Sequence, residues 1–154
     1  MRCIYVKAKK PKVLFMCSHN CARSQMAEAL LTRLYGEQRE AESAGLDSGT
    51  VNPLAIEAMR LVGIDISQAR NKTVFEVYKT GAFFTYFITV CDGTSAERCP
   101  IFPGAARCLH WSFPDPNLFE GAWEEKLAKT VEVREMITTA IHQWRPSVLT
   151  KSAA

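Results

Sequence analysis

The run Cys17-Ser18-His19-Asn20-Cys21-Ala22-Arg23-Ser24, set directly behind the apolar residues Val13, Leu14, Phe15 and Met16, constrains this chain more than any other feature. An unbroken apolar run of that length reads as a strand buried on both faces. Beyond the run, Met26, Ala27, Leu30, Leu31 and Leu34 recur at the spacing of one helical face, and Gly36 is a natural stop. The order is strand, tight loop, helix. At a helix N-terminus the unpaired backbone N–H groups and the positive end of the helix dipole converge on one point, which suits an oxyanion. A cysteine in that field is expected to ionise more readily than a free thiol, and the thiolate is the nucleophile. Arg23 adds a fixed fork of donors that matches two oxygens of a tetrahedral anion. The alternative is a buried cysteine that ends a strand beside an arginine on a helix surface. The strand–loop–helix context favours the nucleophile.

The rest of the chain continues the alternation. Residues 39–43 form a weak strand candidate. Asn52-Pro53 pairs a helix cap with a proline at the first helical position, opening a helix that ends at Gly63. Residues 73–79 fit one or two helical turns. Residues 84–91, aromatic and β-branched, make the best strand, and 107–112 another. From 117 to 144, Trp123, Leu127, Val131, Met136, Ala140 and Trp144 recur at helical spacing, and Pro146 is expected to close that helix. Strands alternating with helices imply a single doubly wound α/β domain with a four-stranded parallel sheet and helices on both faces. The expected division is a short extension at 1–11, the domain at 12–146 and a tail at 147–154. Ligands of such sheets sit at the carboxyl ends of the strands, where Cys17 and Cys91 both fall.

At 154 residues the chain has the size of one domain, and 47% hydrophobic with 23% charged residues suits a globular one. A net charge of +3 gives no case for nucleic acid, and Lys7, Lys9, Lys10 and Lys12 read as a solvated edge. No apolar run approaches the length of a membrane span or a secretion signal, so the expected compartment is the cytoplasm. There, six cysteines favour catalytic, redox or metal use over structural disulfides.

Cys91 and Cys99 flank a small polar segment, 92–98. Such thiols can pass oxidation from a buried site to the surface by disulfide exchange, yet spacing alone equally allows a core cysteine and a loop residue. Zinc is disfavoured: Cys17 and Cys21 have the spacing of a ligand pair, but Cys91 and Cys99 are too far apart and no His-x-x-x-His exists. No metal is expected. His110, His142, Trp123 and Trp144 read as packing residues, whereas His19 either shapes the loop or tunes its charge. Asp115-Pro116 is compatible with a general acid held over the anion and equally with a turn or helix cap.

The run 17–28, Cys-Ser-His-Asn-Cys-Ala-Arg-Ser-Gln-Met-Ala-Glu, resembles the loop of the low-molecular-weight protein tyrosine phosphatase superfamily. Within it, His19, Gln25 and Met26 are similar to the thioredoxin-coupled arsenate reductases, with Cys21 standing where serine is usual. The resemblance extends through Ser43-Ala44-Gly45, 63–67, Val90-Cys91-Asp92, Cys99-Pro100, Trp111 and Asp115-Pro116, from about 11 to about 144.

That resemblance implies reduction of arsenate to arsenite. Loop residues Ser18, His19, Asn20, Cys21, Ala22, Arg23 and Ser24 would bind the oxyanion, with phosphate and sulfate as analogues. Cys17 would attack arsenic, Asp115 would protonate the departing oxygen, and Cys91 then Cys99 would carry the disulfide outward. No bound cofactor is implied. Reducing equivalents would come from thioredoxin or another thiol donor, and neither nucleic acid nor membrane is an expected partner. Asn20, Glu28 and Ser43 match positions that in some relatives hold potassium beneath the loop. The fourth position is Lys72, whose ammonium would replace the metal. The alternative is a phosphatase that hydrolyses phosphate monoesters through a cysteinyl-phosphate.

Overall fold

The computed structural model describes residues 10–18, 22–47, 49–91 and 104–152, with side chains as far as residue 144. His19, Asn20, Cys21 and Cys99, and most of the 1–11 extension, lie outside the described residues. Strands β1 (Lys12–Cys17), β2 (Glu40–Gly45), β3 (Phe84–Thr89) and β4 (Ala105–His110) form one sheet in the order β2-β1-β3-β4. All three pairings are parallel, with Cys17 opposite Gly45, Met16 opposite Thr89, and Thr89 opposite His110. Helices α1 (Arg23–Tyr35), α2 (Pro53–Arg60), α3 (Val74–Lys79) and α4 (Trp123–Ser152) and a 3₁₀ turn at Pro116–Leu118 complete the domain. The four-stranded parallel α/β architecture expected from the alternation is the one that forms.

Neighbouring residues of a strand point to opposite faces. Val13, Leu14, Phe15 and Met16 expose nothing, so β1 is covered on both sides, as its continuous apolar character requires. Outermost in the sheet, β4 leaves Arg107 and Cys108 exposed. An aromatic chain ties the layers together: Phe15 meets Trp111 at 6.0 Å, Trp111 meets Trp144 at 5.7 Å, and Trp144 meets Tyr86 edge-on at 5.0 Å. Each such pair adds about 0.5–1.5 kcal/mol beyond its buried area. The chain winds from β1 to β2 on one side and later to β3 and β4 on the other, so the direction of winding reverses at β1. In sheets of this kind that switch point opens a crevice at the strand's carboxyl end. Cys17 is the last residue of β1.

Local chemistry explains the helix starts. The Asn52 side chain accepts from the Leu54 N–H at 2.8 Å, with Pro53 at the first helical position. Thr73 and Glu76 exchange reciprocal bonds in a capping box for α3. The stretch after α2 turns at Gly63, whose φ of 78° is the left-handed conformation that glycine tolerates.

Three expectations are corrected. Leu34, assigned to the apolar face of α1, is 38% exposed in its last turn, while Tyr35 is buried. The long final helix starts at Trp123, and its buried stripe is Thr130, Val133, Arg134, Ile137 and Ile141; Trp123 and Met136 are each 44% exposed. That stripe escapes a hydrophobicity pattern because two of its members are polar. Thr130 donates to the Lys126 carbonyl at 2.7 Å, and Arg134 donates to the Ala58 carbonyl of α2 at 2.6 Å. Finally, α4 runs past Pro146 to Ser152. A proline within a helix deletes one N–H donor and crowds the carbonyl one turn back, so it kinks or weakens a helix without always ending it.

Candidate active site

Cys17 and Arg23 are brought together by the step from β1 to α1. Met16 is locked between two strands, with its carbonyl accepting from the Val90 N–H at 2.8 Å, so the end of β1 is fixed. The Ser18 carbonyl accepts from the N–H groups of Leu46 and Asp47 at 2.9 and 3.2 Å, tying the start of the loop to the segment after β2. Helix α1 begins after Ala22, which has no side-chain acceptor, and no side-chain cap is made. A helix started in this way leaves its first-turn donors to be met by something other than its own cap.

Cys17 is buried, with its Sγ 2.9 Å from the Ser24 Oγ on the first turn of α1. A hydroxyl so placed can donate to a thiolate and hold charge on the sulfur. Arg23 is also buried. It donates to the Phe113 carbonyl at 3.0 Å and forms an ion pair with Asp115 Oδ2 at 3.2 Å, while its Nε has no partner among the described residues. The Arg23 fork is therefore paired with a carboxylate. Asp115 Oδ1 accepts from the Asn117 backbone N–H at 2.9 Å and from the Asn117 side-chain amide at 3.1 Å. The turn reading of Asp115-Pro116 is realised, since Asp115 caps the 3₁₀ turn, and its other carboxylate oxygen pairs with Arg23.

Cys91 follows the end of β3 by two residues and is wholly buried, with its Sγ 3.9 Å from the Met16 carbonyl. A second thiol thus lies against the carboxyl end of the strand that carries Cys17. Cys108 is exposed on β4, away from this edge.

Behind the loop, the Ser43 hydroxyl donates to Glu28 at 2.8 Å. Burial pushes the Glu28 carboxyl above its ordinary range, opposed by the Ser43 bond and the nearby Lys72 charge and reinforced by Glu42. The Lys72 ammonium pairs with Glu42 at 2.8 Å. Of the four support positions, three gather here; the fourth, Asn20, lies outside the described residues. Gln25, which enters the sequence reading only as part of the family resemblance, donates to the Asn71 side chain at 3.0 Å and ties α1 to this segment. Sequence reasoning passed over the contact of Asn117 with Asn52, whose side chains meet at 2.6 Å. The signal for Asn117 is local, since an aspartate two residues before an asparagine is an Asx-turn pattern. For Asn52 the cap is legible in Asn52-Pro53, but its contact with Asn117 has no local signal, because the partner is remote in the chain. Among the described residues no group of three or more His, Cys, Asp or Glu could hold a metal, and no helix is long and apolar enough to cross a membrane.

A buried thiol at the switch point of a parallel sheet, with an arginine opening the next helix and a carboxylate paired with it, is an arrangement suited to a tetrahedral oxyanion. Residues 12–153 match the model of the low molecular weight phosphotyrosine protein phosphatase family, and the chain belongs to that family. Within it, the chain is 38% identical to an arsenate reductase of Halalkalibacterium halodurans over 128 residues, covering 83% of this chain and 90% of the relative. An arsenate reductase structure in the reduced state superposes with a TM-score of 0.72 at 26% identity, covering 90% of this chain and 98% of the other. A thioredoxin-dependent arsenate reductase of Corynebacterium glutamicum superposes with a TM-score of 0.66 at 28% identity, covering 94% of this chain and 64% of that one.

Proposed function

We propose that this chain reduces arsenate to arsenite with electrons from a dithiol donor of the thioredoxin type. The observation that carries the reading is Cys91, a second buried thiol against the strand end that presents Cys17. Hydrolysis of a cysteinyl intermediate has no use for it. The relatives named arsenate reductase support the same substrate, and the thioredoxin-dependent one supports the donor.

In this reading the loop 17–24 and Arg23 bind arsenate. The Cys17 thiolate attacks arsenic and forms a sulfur–arsenic bond, while Asp115 gives a proton to the departing oxygen, which leaves as water. Cys91, as thiolate, attacks the Cys17 sulfur. The sulfur–arsenic bond breaks with its electron pair staying on arsenic, which is thereby reduced from As(V) to As(III) and released as arsenite. The two thiols supply both electrons and become a Cys17–Cys91 disulfide. Cys99 then attacks Cys91, freeing Cys17 and leaving a Cys91–Cys99 disulfide for the donor. Asn20, Glu28, Ser43 and Lys72 support the loop from beneath, the Lys72 ammonium serving in place of a metal. A reducing cytoplasm, where thiols stay free between turnovers, suits this cycle.

The Arg23–Asp115 pairing would serve phosphate monoester hydrolysis equally well, so the test runs both reactions. Cys91→Ser should abolish multiple-turnover arsenate reduction with thioredoxin and spare hydrolysis of an aryl phosphate. Cys99→Ser should allow about one turnover and trap a Cys17–Cys91 disulfide in non-reducing peptide maps. Full thioredoxin-coupled turnover by both serine variants would overturn the relay. Hydrolysis without any arsenate reduction by the parent protein would make it a phosphatase.

A further inference from the structure

The geometry points to Asn52 and Asn117 as positioning residues that select the oxygen of Asp115 on which the catalytic proton is carried. The inference rests on the reading of Asp115 as general acid and deepens it. Four groups form one chain of hydrogen bonds: Leu54 N–H to Asn52 Oδ1 at 2.8 Å, Asn52 Nδ2 to Asn117 Oδ1 at 2.6 Å, and Asn117 Nδ2 to Asp115 Oδ1 at 3.1 Å.

The polarity of this chain is not a free choice. A backbone N–H can only donate, so Asn52 must present its oxygen to Leu54 and its nitrogen to Asn117. Asn117 must then present its oxygen to Asn52 and its nitrogen to Asp115. The Asn117 backbone N–H adds a second donor on the same carboxylate oxygen. With two donors pointed at Oδ1, a proton on that oxygen would meet N–H groups head-on. Oδ2 faces the Arg23 guanidinium at 3.2 Å, and once that fork turns to the bound anion in the proposed cycle Oδ2 is left facing an acceptor, so the proton of Asp115 is carried there. The start of α2, through its own N-cap, thus fixes which way a carboxyl on a distant turn points. No residue of the chain of bonds other than Asp115 would touch substrate.

Asn52→Ser is the discriminating variant, because serine keeps the α2 cap but its hydroxyl is too short to reach Asn117. Asn117→Ala, on an exposed turn, removes the last link. Single-turnover arsenite release should fall by about tenfold in both, less than in Asp115→Asn, where loss of the acid itself should cost on the order of 10²-fold or more. The inhibition constant for inorganic phosphate should stay close to the parent's, since neither residue contacts the anion. Amide spectra give a readout independent of turnover. In the parent protein the Asn117 side-chain N–H signals should shift with pH in step with the Asp115 carboxyl, and in Asn52→Ser that coupling should weaken.

The outcomes separate the two readings. If Asp115→Asn reduces arsenate at the parent rate, Asp115 is not the general acid and the positioning role falls with it. If Asp115→Asn is slow while both asparagine variants keep the full rate, the acid stands and the positioning role is overturned. If the parent reduces no arsenate, the proposed function fails. The positioning role is then judged by the amide signals alone, and Asn117 signals blind to Asp115 would overturn it.

Discussion

At the scale of single residues, Cys17 and Arg23 carry the most weight and are the most legible from sequence. Their spacing across a strand–loop–helix junction is a local property, and it survives in the structure as a buried thiol and a buried guanidinium beside a first-turn hydroxyl. Cys17→Ser should abolish arsenate reduction and any aryl phosphatase activity together, measured as arsenite release and phenolate release, because both reactions use one thiolate. Arg23→Lys should be nearly as damaging, with the loss visible in anion affinity as well as rate, since a point charge cannot reproduce a planar fork. Asn52 shows where legibility ends. Its role as a helix cap is written in Asn52-Pro53, but its second bond, to Asn117, joins residues far apart in the chain. No local pattern encodes such a meeting; only the packed fold creates it.

Among the elements, caps and short strands follow from local chemistry, and the long final helix does not. Asn52, Thr73 and Gly63 act through bonds to their own neighbours, so α2, α3 and the turn between them can be placed from sequence. Removing such a cap has a predictable cost. Thr73→Ala should destabilise the domain by about 1 kcal/mol in urea unfolding, because it breaks one half of the capping box. Gly36 is required for a different reason than its position suggests. Its backbone is ordinary right-handed helix, but a Cβ there would collide with the Thr32 carbonyl. The register of α4 is hidden because Arg134 lies on its buried stripe, a residue type that sequence reasoning assigns to solvent. Its guanidinium is tolerated there because it satisfies a carbonyl at the end of α2. Arg134→Met should fill the space yet leave the Ala58 carbonyl unpaired, costing about 1–3 kcal/mol by the same measurement.

For the whole molecule, the sheet order and the reversal of winding at β1 decide where chemistry can occur. That topology was readable as a class from the alternation of strands and helices, because parallel sheets demand it. The carboxylates behind the loop add a dependence on pH. Burial first of all raises the Glu28 pKa in the folded protein, so the fold binds that proton more tightly than the unfolded chain does. The resulting stabilisation is fully present below the unfolded carboxyl pKa and is lost as pH rises through the folded one. Glu28→Gln, which cannot ionise, should therefore gain on the parent protein as pH is raised from about 4 to about 7. The difference in urea midpoints between the two proteins at each pH gives this directly. A gap that shrinks with rising pH would contradict it.

The ion pair between Arg23 and Asp115 places a carboxylate of the chain itself on the guanidinium. Under the proposed function, a tetrahedral anion that takes both arms of the fork would compete with this tethered carboxylate for the guanidinium. Such an internal competitor would trade affinity for turnover, weakening ground-state binding and hastening release. Neutralising it as Asp115→Asn should tighten phosphate binding, by calorimetry, in the same variant that has lost its proton donor. A slow enzyme that grips its ligand harder is the signature of a tethered competitor.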